Sequence, residues 1–486
     1  MRIEYPGKAI ILSFCCSAVM LSGCTVGPDF KRPDMTLPQH WANSAPQGIE
    51  PRQEFARWWK IFEDRTLDWL IDKAISDNLD LKLAAARIAQ ARAASRQSVA
   101  RYGPEVNASG SYARYQDRLE RTGPDRAGPQ SQRAAETIVD DQYQTGFDAA
   151  WELDLFGGIR RSVEAGASEL EAATEARRDV LVTLAAEVAR SYIELRVLQK
   201  RKAIVELHRR AQDHCVRLTR RQHESGFASG LDESNARMQA AETAARLPLL
   251  EASERQTIHK IGILLGGCPG ALIQRLTPVA DLPMVLPAVP VGVPSELLRR
   301  RPDIRQAEAQ IHAATARVGV AMADLFPKLT ISGSIAYLSN SLNTLYEGEK
   351  LIWLFGPTTK WRLFDTGRAK AIVHVREALE EQAVITYKQK VLSAMLEVED
   401  ALVALEKLEA HRNALANAVQ ASRKSLQLAK RLYMAGETDF LRVLVSEQSL
   451  YQEEDAFVQS MGDALIRLIS LYKALGGGWD SSSDGG

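Results

Sequence analysis

The chain of 486 residues balances 61 Lys and Arg against 61 Asp and Glu, so its formal charge is zero and nothing in it favours a nucleic-acid partner. With 45 % apolar residues it can build the cores of two or three domains. Beyond residue 24, however, no apolar run approaches the roughly 20 residues a spanning helix needs, so any membrane crossing falls to β-strands.

Arg2 and Lys8 give a positive start, and residues 9–21 form a short apolar stretch that ends at Leu21-Ser22-Gly23-Cys24. This reads as an export signal over residues 1–23, too short to span a bilayer. Leu-Ser-Gly-Cys resembles a bacterial lipobox, which would make Cys24 the lipidated first residue of the mature chain. Thr25 behind it, where an aspartate is absent, favours the outer membrane by the same resemblance. Cys15 and Cys16 leave with the signal, and Cys215 and Cys268 are too few for a disulfide framework. Prolines 28, 33, 38, 46 and 51 mark an extended tether within residues 24–65. Gly476-Gly477-Gly478 and the Ser/Asp/Gly run after it read as a disordered tail over 478–486.

Between tether and tail the chain is written twice. Asn78-Leu-Asp-Leu-Lys opens a helical stretch that reaches Pro104 and Ser109-Gly-Ser111, and Arg301-Pro-Asp-Ile-Arg opens one that reaches Pro327 and Ser332-Gly-Ser334, at an offset of 223. Leu155-Phe156 aligns with Leu363-Phe364 at an offset of 208. Gly226 then aligns with Gly436, and Gly266-Gly267 with Gly476-Gly477, at 210. The falling offset places an insertion in the first copy, about Asp117 to Asp141, whose Gly123-Pro124 and Gly128-Pro129 predict a loop. The copies cover 66–267 and 294–477, with a linker at 268–293.

Each copy reads as helix, two strands, long helix, turn, helix. Val391, Met395, Val398, Leu402 and Leu405 step by four and three, a coiled-coil seam that Leu181, Leu184, Val188, Tyr192 and Leu195 resemble in the first copy. Residues 159–225 and 368–435 make helices of ~100 Å, and the four remaining stretches are ~48–55 Å each. Two short helices laid end to end thus match one long one, which suits a cylinder wall of equal struts.

Strands are expected at about 104–117, 141–156, 327–339 and 350–364. Leu329, Ile331, Gly333, Ile335 and Tyr337 alternate with Thr330, Ser332, Ser334 and Ala336, while Phe147, Ala149, Trp151 and Leu153 alternate with Asp148, Ala150, Glu152 and Asp154. Ten-residue alternation with Trp151, Trp353 and Trp361 nearby fits membrane strands with an aromatic girdle. Four strands cannot close a barrel and open edges cannot face lipid. Several copies must then share one barrel, and a trimer with twelve strands is the smallest that leaves a passage.

In these pieces the chain resembles the TolC-like outer-membrane efflux proteins, in their lipid-anchored branch. The resemblance rests on Cys24-Thr-Val-Gly-Pro-Asp-Phe-Lys-Arg-Pro33, Trp58-Trp59 with Phe62, Asn78-Leu-Asp-Leu81, Trp151-Glu-Leu-Asp-Leu-Phe-Gly157, Gly226-Phe-Ala-Ser-Gly-Leu-Asp232 and Leu298-Arg-Arg-Arg-Pro-Asp303. It implies a mostly α protein with a membrane β-barrel: a homotrimer whose 12-stranded barrel continues into a long α-helical, coiled-coil barrel. It also implies contact with outer-membrane lipid and two protein partners, a periplasmic adaptor (membrane-fusion) protein and an inner-membrane RND-type pump. The implied function is an exit duct for drugs or other small toxic molecules. By the same resemblance the periplasmic gate involves Asp232, Tyr433, Asp439, Leu441, Arg442 and Val445, and the adaptor meets the tips at Gly226, Leu231, Gly436 and Glu437. Family members commonly carry an aspartate where this chain has Val445, which leaves Arg442 near the axis. Asp439, three residues from Arg442, is the expected partner on its own helix, with Asp232 the partner across helices and Tyr433 a hydrogen-bond donor.

Three rival readings remain. Eight scattered histidines show no paired metal spacing, and neither a phosphate loop nor a nucleophile elbow appears, so neither an enzyme nor a cofactor is expected. A lipid-tethered coiled-coil scaffold without a pore and a duct for protein secretion share the remaining features.

The lipobox reading is checked by mass spectrometry of the mature amino-terminal peptide. It should begin at Cys24 and carry acyl chains, and a free amine at any other residue would contradict it.

Overall fold

A computed structural model describes residues 25–43, 55–120, 135–282, 291–347 and 351–479; Cys24 lies outside them. In chain order the elements are α1 (Arg65–Asp77), α2 (Leu79–Ala100), β1 (Glu105–Glu120), β2 (Ala135–Leu153), α3 (Gly158–Glu224), α4 (Gly230–Leu264) and α5 (Ile273–Leu276). They continue as α6 (Leu297–Arg300), α7 (Pro302–Ala323), β3 (Lys328–Ser339), β4 (Leu351–Lys360), α8 (Arg368–Met434) and α9 (Phe440–Ala474). None of the described helices is long and apolar enough to cross a membrane. The chain divides into two compact units, one of residues 1–32, 90–170 and 309–384, the other of 33–89, 171–308 and 385–486.

The first unit holds one antiparallel sheet in the order β1-β2-β3-β4, with β1 and β4 as its edges. Register carries apolar side chains across one face in rows: Ala108, Phe147, Ile335 and Trp353 in one, Val106, Ala149, Gly333 and Phe355 in the next. Phe147 is 60 % exposed and Trp353 74 %, so the described residues do not cover this face. The opposite face carries Asn107, whose amide reaches Asp148 at 3.2 Å, and then Ser334. Beyond Ser334 the alternation fails, because Leu354 and Ile352 bring apolar side chains to this polar face as well.

The expected loop at 117–141 is strand at both of its ends. β1 runs to Glu120 and β2 starts at Ala135, paired Glu120↔Ala135, which leaves only 121–134 between them. The polar residues 117–120 and 135–141 that read as loop are strand ends of a long hairpin. The alignment of Leu155-Phe156 with Leu363-Phe364 is also two residues out. Trp151 donates its indole N–H to Tyr102 O (2.8 Å) and Trp361 to Leu325 O (3.1 Å). The strand ends therefore correspond at 210 and the helix ends at 223.

In this unit residues 25–30 lie against the fold. Val26 N–H bonds Phe156 O at 3.1 Å. The buried Arg161 guanidinium reaches Gly27 O, Asp29 (2.7 Å) and Glu164 (2.8 Å), and Phe30 stacks on His312.

The second unit is helical, with a core of Trp58, Trp59, Phe62, Leu67, Leu70, Ile71, Val188, Tyr192, Leu468 and Tyr472. Trp58 stacks on Tyr472 with ring centres 5.3 Å apart. The tether meets this unit again at Asn43, whose backbone and amide N–H groups bond Glu399. Part of the expected tail is packed too. Gly478 N–H bonds Phe55 O, the Trp479 indole donates to Arg300 O at 3.0 Å, and Arg178 and Arg305 lie over its ring. A Gly/Ser-rich run hides such a ring from composition alone; residues 480–486 lie outside the described ones.

One device occurs twice here. The helical stretch expected at 66–102 breaks at Asn78, whose side-chain oxygen caps α2 through Asp80 N (2.8 Å) and Leu81 N (3.0 Å), while its amide donates to Leu264 O (2.9 Å) at the end of α4. Arg301 occupies the matching break and donates to Ala474 O (3.0 Å) at the end of α9, held by Asp303 and Glu397. Both returning helices close with the same left-handed turn. A Cβ on Gly266 would come 2.4 Å from Asp77 O, and one on Gly476 would come 2.9 Å from Arg300 O, so the close approach itself requires glycine.

Asn78→Ala removes the α2 cap and leaves Leu264 O without its donor, which should cost about 2–3 kcal/mol. Asn78→Asp keeps the cap and loses only the amide donor, so chemical denaturation should rank wild type, Asp, Ala in falling stability. Equal losses for the two variants would remove the α4 clamp from the account.

Candidate functional site at the helix-turn-helix tips

Two helical hairpins, α3–α4 and α8–α9, turn at residues 225–229 and 435–439, and their turns share the same backbone hydrogen bonds. Gly226 N–H bonds His223 O and Phe227 N–H bonds Gln222 O; Gly436 N–H bonds Tyr433 O and Glu437 N–H bonds Leu432 O. Gly226 and Gly436 have φ of +79° and +74°, and nothing lies within 4 Å of where a Cβ would stand, so glycine serves the backbone here and not the packing.

Position by position the two tips differ in charge. Ser229 caps α4 and forms a capping box with Asp232: Asp232 N–H bonds the serine hydroxyl oxygen (3.2 Å) and Ser229 N–H bonds the aspartate (3.3 Å). The corresponding pair is Asp439 and Arg442. Asp439 caps α9 by accepting Arg442 N–H at 3.1 Å.

Both expected partners of Arg442 are therefore engaged with backbone. The Arg442 guanidinium is exposed and forms no ion pair among the described residues. Spacing of three residues suggested a side-chain pair; an N-cap carboxylate instead turns inward to the free N–H groups of the first turn. Tyr433 does donate a hydrogen bond, but to Gln222 Oε1 (2.8 Å) on α3 and not to Asp232. Burial pushes the Tyr433 phenol up, and the nearby Asp232 and Cys215 add to the effect.

The tips project large apolar side chains. Phe227 is 88 % exposed and Met434 78 %, with Leu231, Leu441 and Val445 also open. Sequence reading passes over Phe227 and Met434, though each lies within two residues of a turn glycine. Beneath them Ala236, Ala429, Phe440, Val443 and Leu444 form a buried cluster from α4, α8 and α9, with Cys215 and Val216 of α3 and Tyr433 against it. Four helices are thus tied together just inside the tips. Cys215 is half-buried and Cys268 exposed, both as thiols. Among the described residues no cluster of His, Cys, Asp and Glu fits a metal ion.

A duplicated hairpin bundle with a two-faced, open-edged sheet defines a class, the outer-membrane efflux ducts. The family model described as outer membrane efflux protein matches residues 70–267 and 293–477, and the chain belongs to that family. It is 31 % identical over 475 residues to the antibiotic efflux pump outer membrane protein ArpC of Pseudomonas putida, covering 96 % of each chain. It is 30 % identical to the cation efflux system protein CusC of Escherichia coli, covering 96 % of this chain and 98 % of CusC. The solved outer-membrane channel OprN is similar with a TM-score of 0.84 at 34 % identity, over 94 % of this chain and all of that one. The chain is an outer-membrane efflux channel.

Gly226→Ala and Gly436→Ala should each cost about 1–2 kcal/mol through the left-handed backbone alone. Asn at either site should cost less, because it tolerates that conformation. Thermal unfolding of the four variants checks the ranking, and Asn as damaging as Ala would mean that space, not φ, selects glycine.

Proposed function

We propose that three copies of this chain form the exit duct of a tripartite pump, passing small toxic molecules from an inner-membrane RND-type pump through a periplasmic adaptor to the outside. The open sheet carries the reading. Its apolar face is exposed, and its edge strands β1 and β4 have no further strand partner among the described residues. Unpaired strand edges cannot face hydrocarbon, and four strands cannot close on themselves. Three copies give twelve strands, closed and wide enough for a passage.

In this assembly the strands sit in the outer membrane, Cys24 adds a lipid anchor, and the tips face the periplasm. Phe227, Leu231 and Met434 offer the apolar surface an adaptor hairpin needs, with Gly226, Gly436 and Glu437 in the turns. Leu441, Arg442 and Val445, exposed on the first two turns of α9, suit a constriction, and Asp232, Asp439 and Tyr433 hold the geometry of the two hairpins that form it. The duct itself does no chemistry. Its relatives serve antibiotics in one case and cations in another, so cargo belongs to the pump.

Cells lacking their own duct but holding an adaptor and pump should regain dye efflux when given this chain. Phe227→Asp with Leu231→Asp, on exposed positions, should abolish the rescue while leaving outer-membrane levels unchanged. Undiminished efflux by the double variant would remove the tips from the adaptor contact.

A further inference from the structure

Just inside the four-helix cluster, α9 carries a glutamate in a place that suits none. Glu447 is 1 % exposed, its Oε2 is buried without a hydrogen-bond partner, and no ion pair reaches it among the described residues. It lies six residues beyond Leu441, ~9 Å along the helix from the proposed constriction. On α3, His208, Gln212, Cys215 and Thr219 share one face by their spacing of four, three and four. Gln212 is 2 % exposed, and its Oε1 is likewise buried without a donor. Glu447 and Gln212, on two helices of this cluster, thus each hold a buried oxygen without a donor. A carboxylic acid supplies one, a carboxylate does not.

The surrounding groups leave the carboxyl little else. His208 on α3 is taken by Glu454 at 3.0 Å and meets Tyr451 edge-on, and Glu454 is also bound by Arg423 of α8. Lys430 of α8 acts on Glu447 from a distance without an ion pair, and the Cys215 thiol lies near it. On the part of α4 next to the turn the buried side chains are Ala236, Gln239 and Thr243, none of them titratable, and the buried Glu254 further along is held by Lys202 and Gln199. Burial pushes the Glu447 carboxyl above the ordinary glutamate range, and Lys430 and His208 oppose this only in part.

We propose that Glu447 is a proton-held latch: as the neutral acid it locks α9 against α3 behind the gate, and loss of its proton loosens the hairpin and favours opening. The proposal rests on the duct reading for the word opening, and on the buried geometry for the latch. The sign follows from linkage. A carboxyl whose pKa is raised in the packed state stabilises that state fully at acid pH, and the contribution is lost as pH climbs through the raised value. The closed-to-open ratio then falls by up to about tenfold per pH unit for each protomer beyond that point.

Two measurements on the intact, membrane-extracted protein test it, with Glu447→Gln as a neutral mimic of nearly the same shape and Glu447→Leu as a second variant without a charge. Thermal unfolding scanned from pH 5 to 9 should show wild-type stability falling as pH rises, with the slope attributable to Glu447 absent in both variants. Planar-bilayer conductance should rise with pH in the wild type and stay at its low acid value in Glu447→Gln. Parallel pH profiles of wild type and variants in either measurement would overturn the latch. The unfolding slope reports Glu447 whether or not the chain conducts, so the absence of any conductance contradicts the duct reading alone.

Discussion

A backbone N–H or C=O in hydrocarbon must find a partner, and that one requirement shapes this chain more than any packing term. Helices meet it internally, but none of the described ones is apolar enough to enter a bilayer. The four strands meet it only between β1 and β4, leaving, among the described residues, two unpaired edges beside an uncovered apolar face. Assembly with other copies is the physical remedy, and the duct follows from it. In the proposed ring of such sheets, Asn107, Asp148 and Ser334 share the face assigned to the lumen and Phe147, Ile335 and Trp353 the face assigned to lipid.

The duplication then appears as repeated backbone devices and not merely as repeated letters. At each strand end an indole N–H holds the preceding helix terminus, Trp151 to Tyr102 O and Trp361 to Leu325 O. At each helix break a side chain reaches the carbonyl of the returning helix, Asn78 to Leu264 O and Arg301 to Ala474 O. The two residues are chemically unlike yet do one job, because what the two copies share in space is an orphan carbonyl at a helix end. Glycines at 266 and 476 let those ends approach to contact distance. Charge diverges where the geometry is shared: Asp232 and Arg442 occupy the same place on the two tips.

Much of this was legible in the sequence because it is periodic. The repeat, the long helices and the strand alternation are patterns of 210, 3.6 and two residues, and the turns announce themselves through Gly226 and Gly436. What escaped is local competition or long-range contact. Polar residues at 117–120 and 135–141 read as loop because polar composition does not reveal a backbone pairing such as Glu120 with Ala135. Asp439 and Arg442 looked like an ion pair by spacing, although Ser229-x-x-Asp232 already showed that this position caps a helix. Trp479 in a glycine-rich tail, and Arg161 against Gly27 and Asp29, are held by partners well over a hundred residues away, which no window along the chain contains.

The central claim is that β4 of one copy pairs with β1 of the next. Cysteine pairs scanned along the two edges, from Val106 to Tyr112 in β1 and from Leu351 to Pro357 in β4, test it directly in outer membranes, in a background lacking Cys215 and Cys268. Oxidation should convert the single chain into covalent dimers and trimers at a run of positions of alternating strength, with no higher species. Failure of every pair to link different chains, or ladders extending past the trimer, would contradict the account.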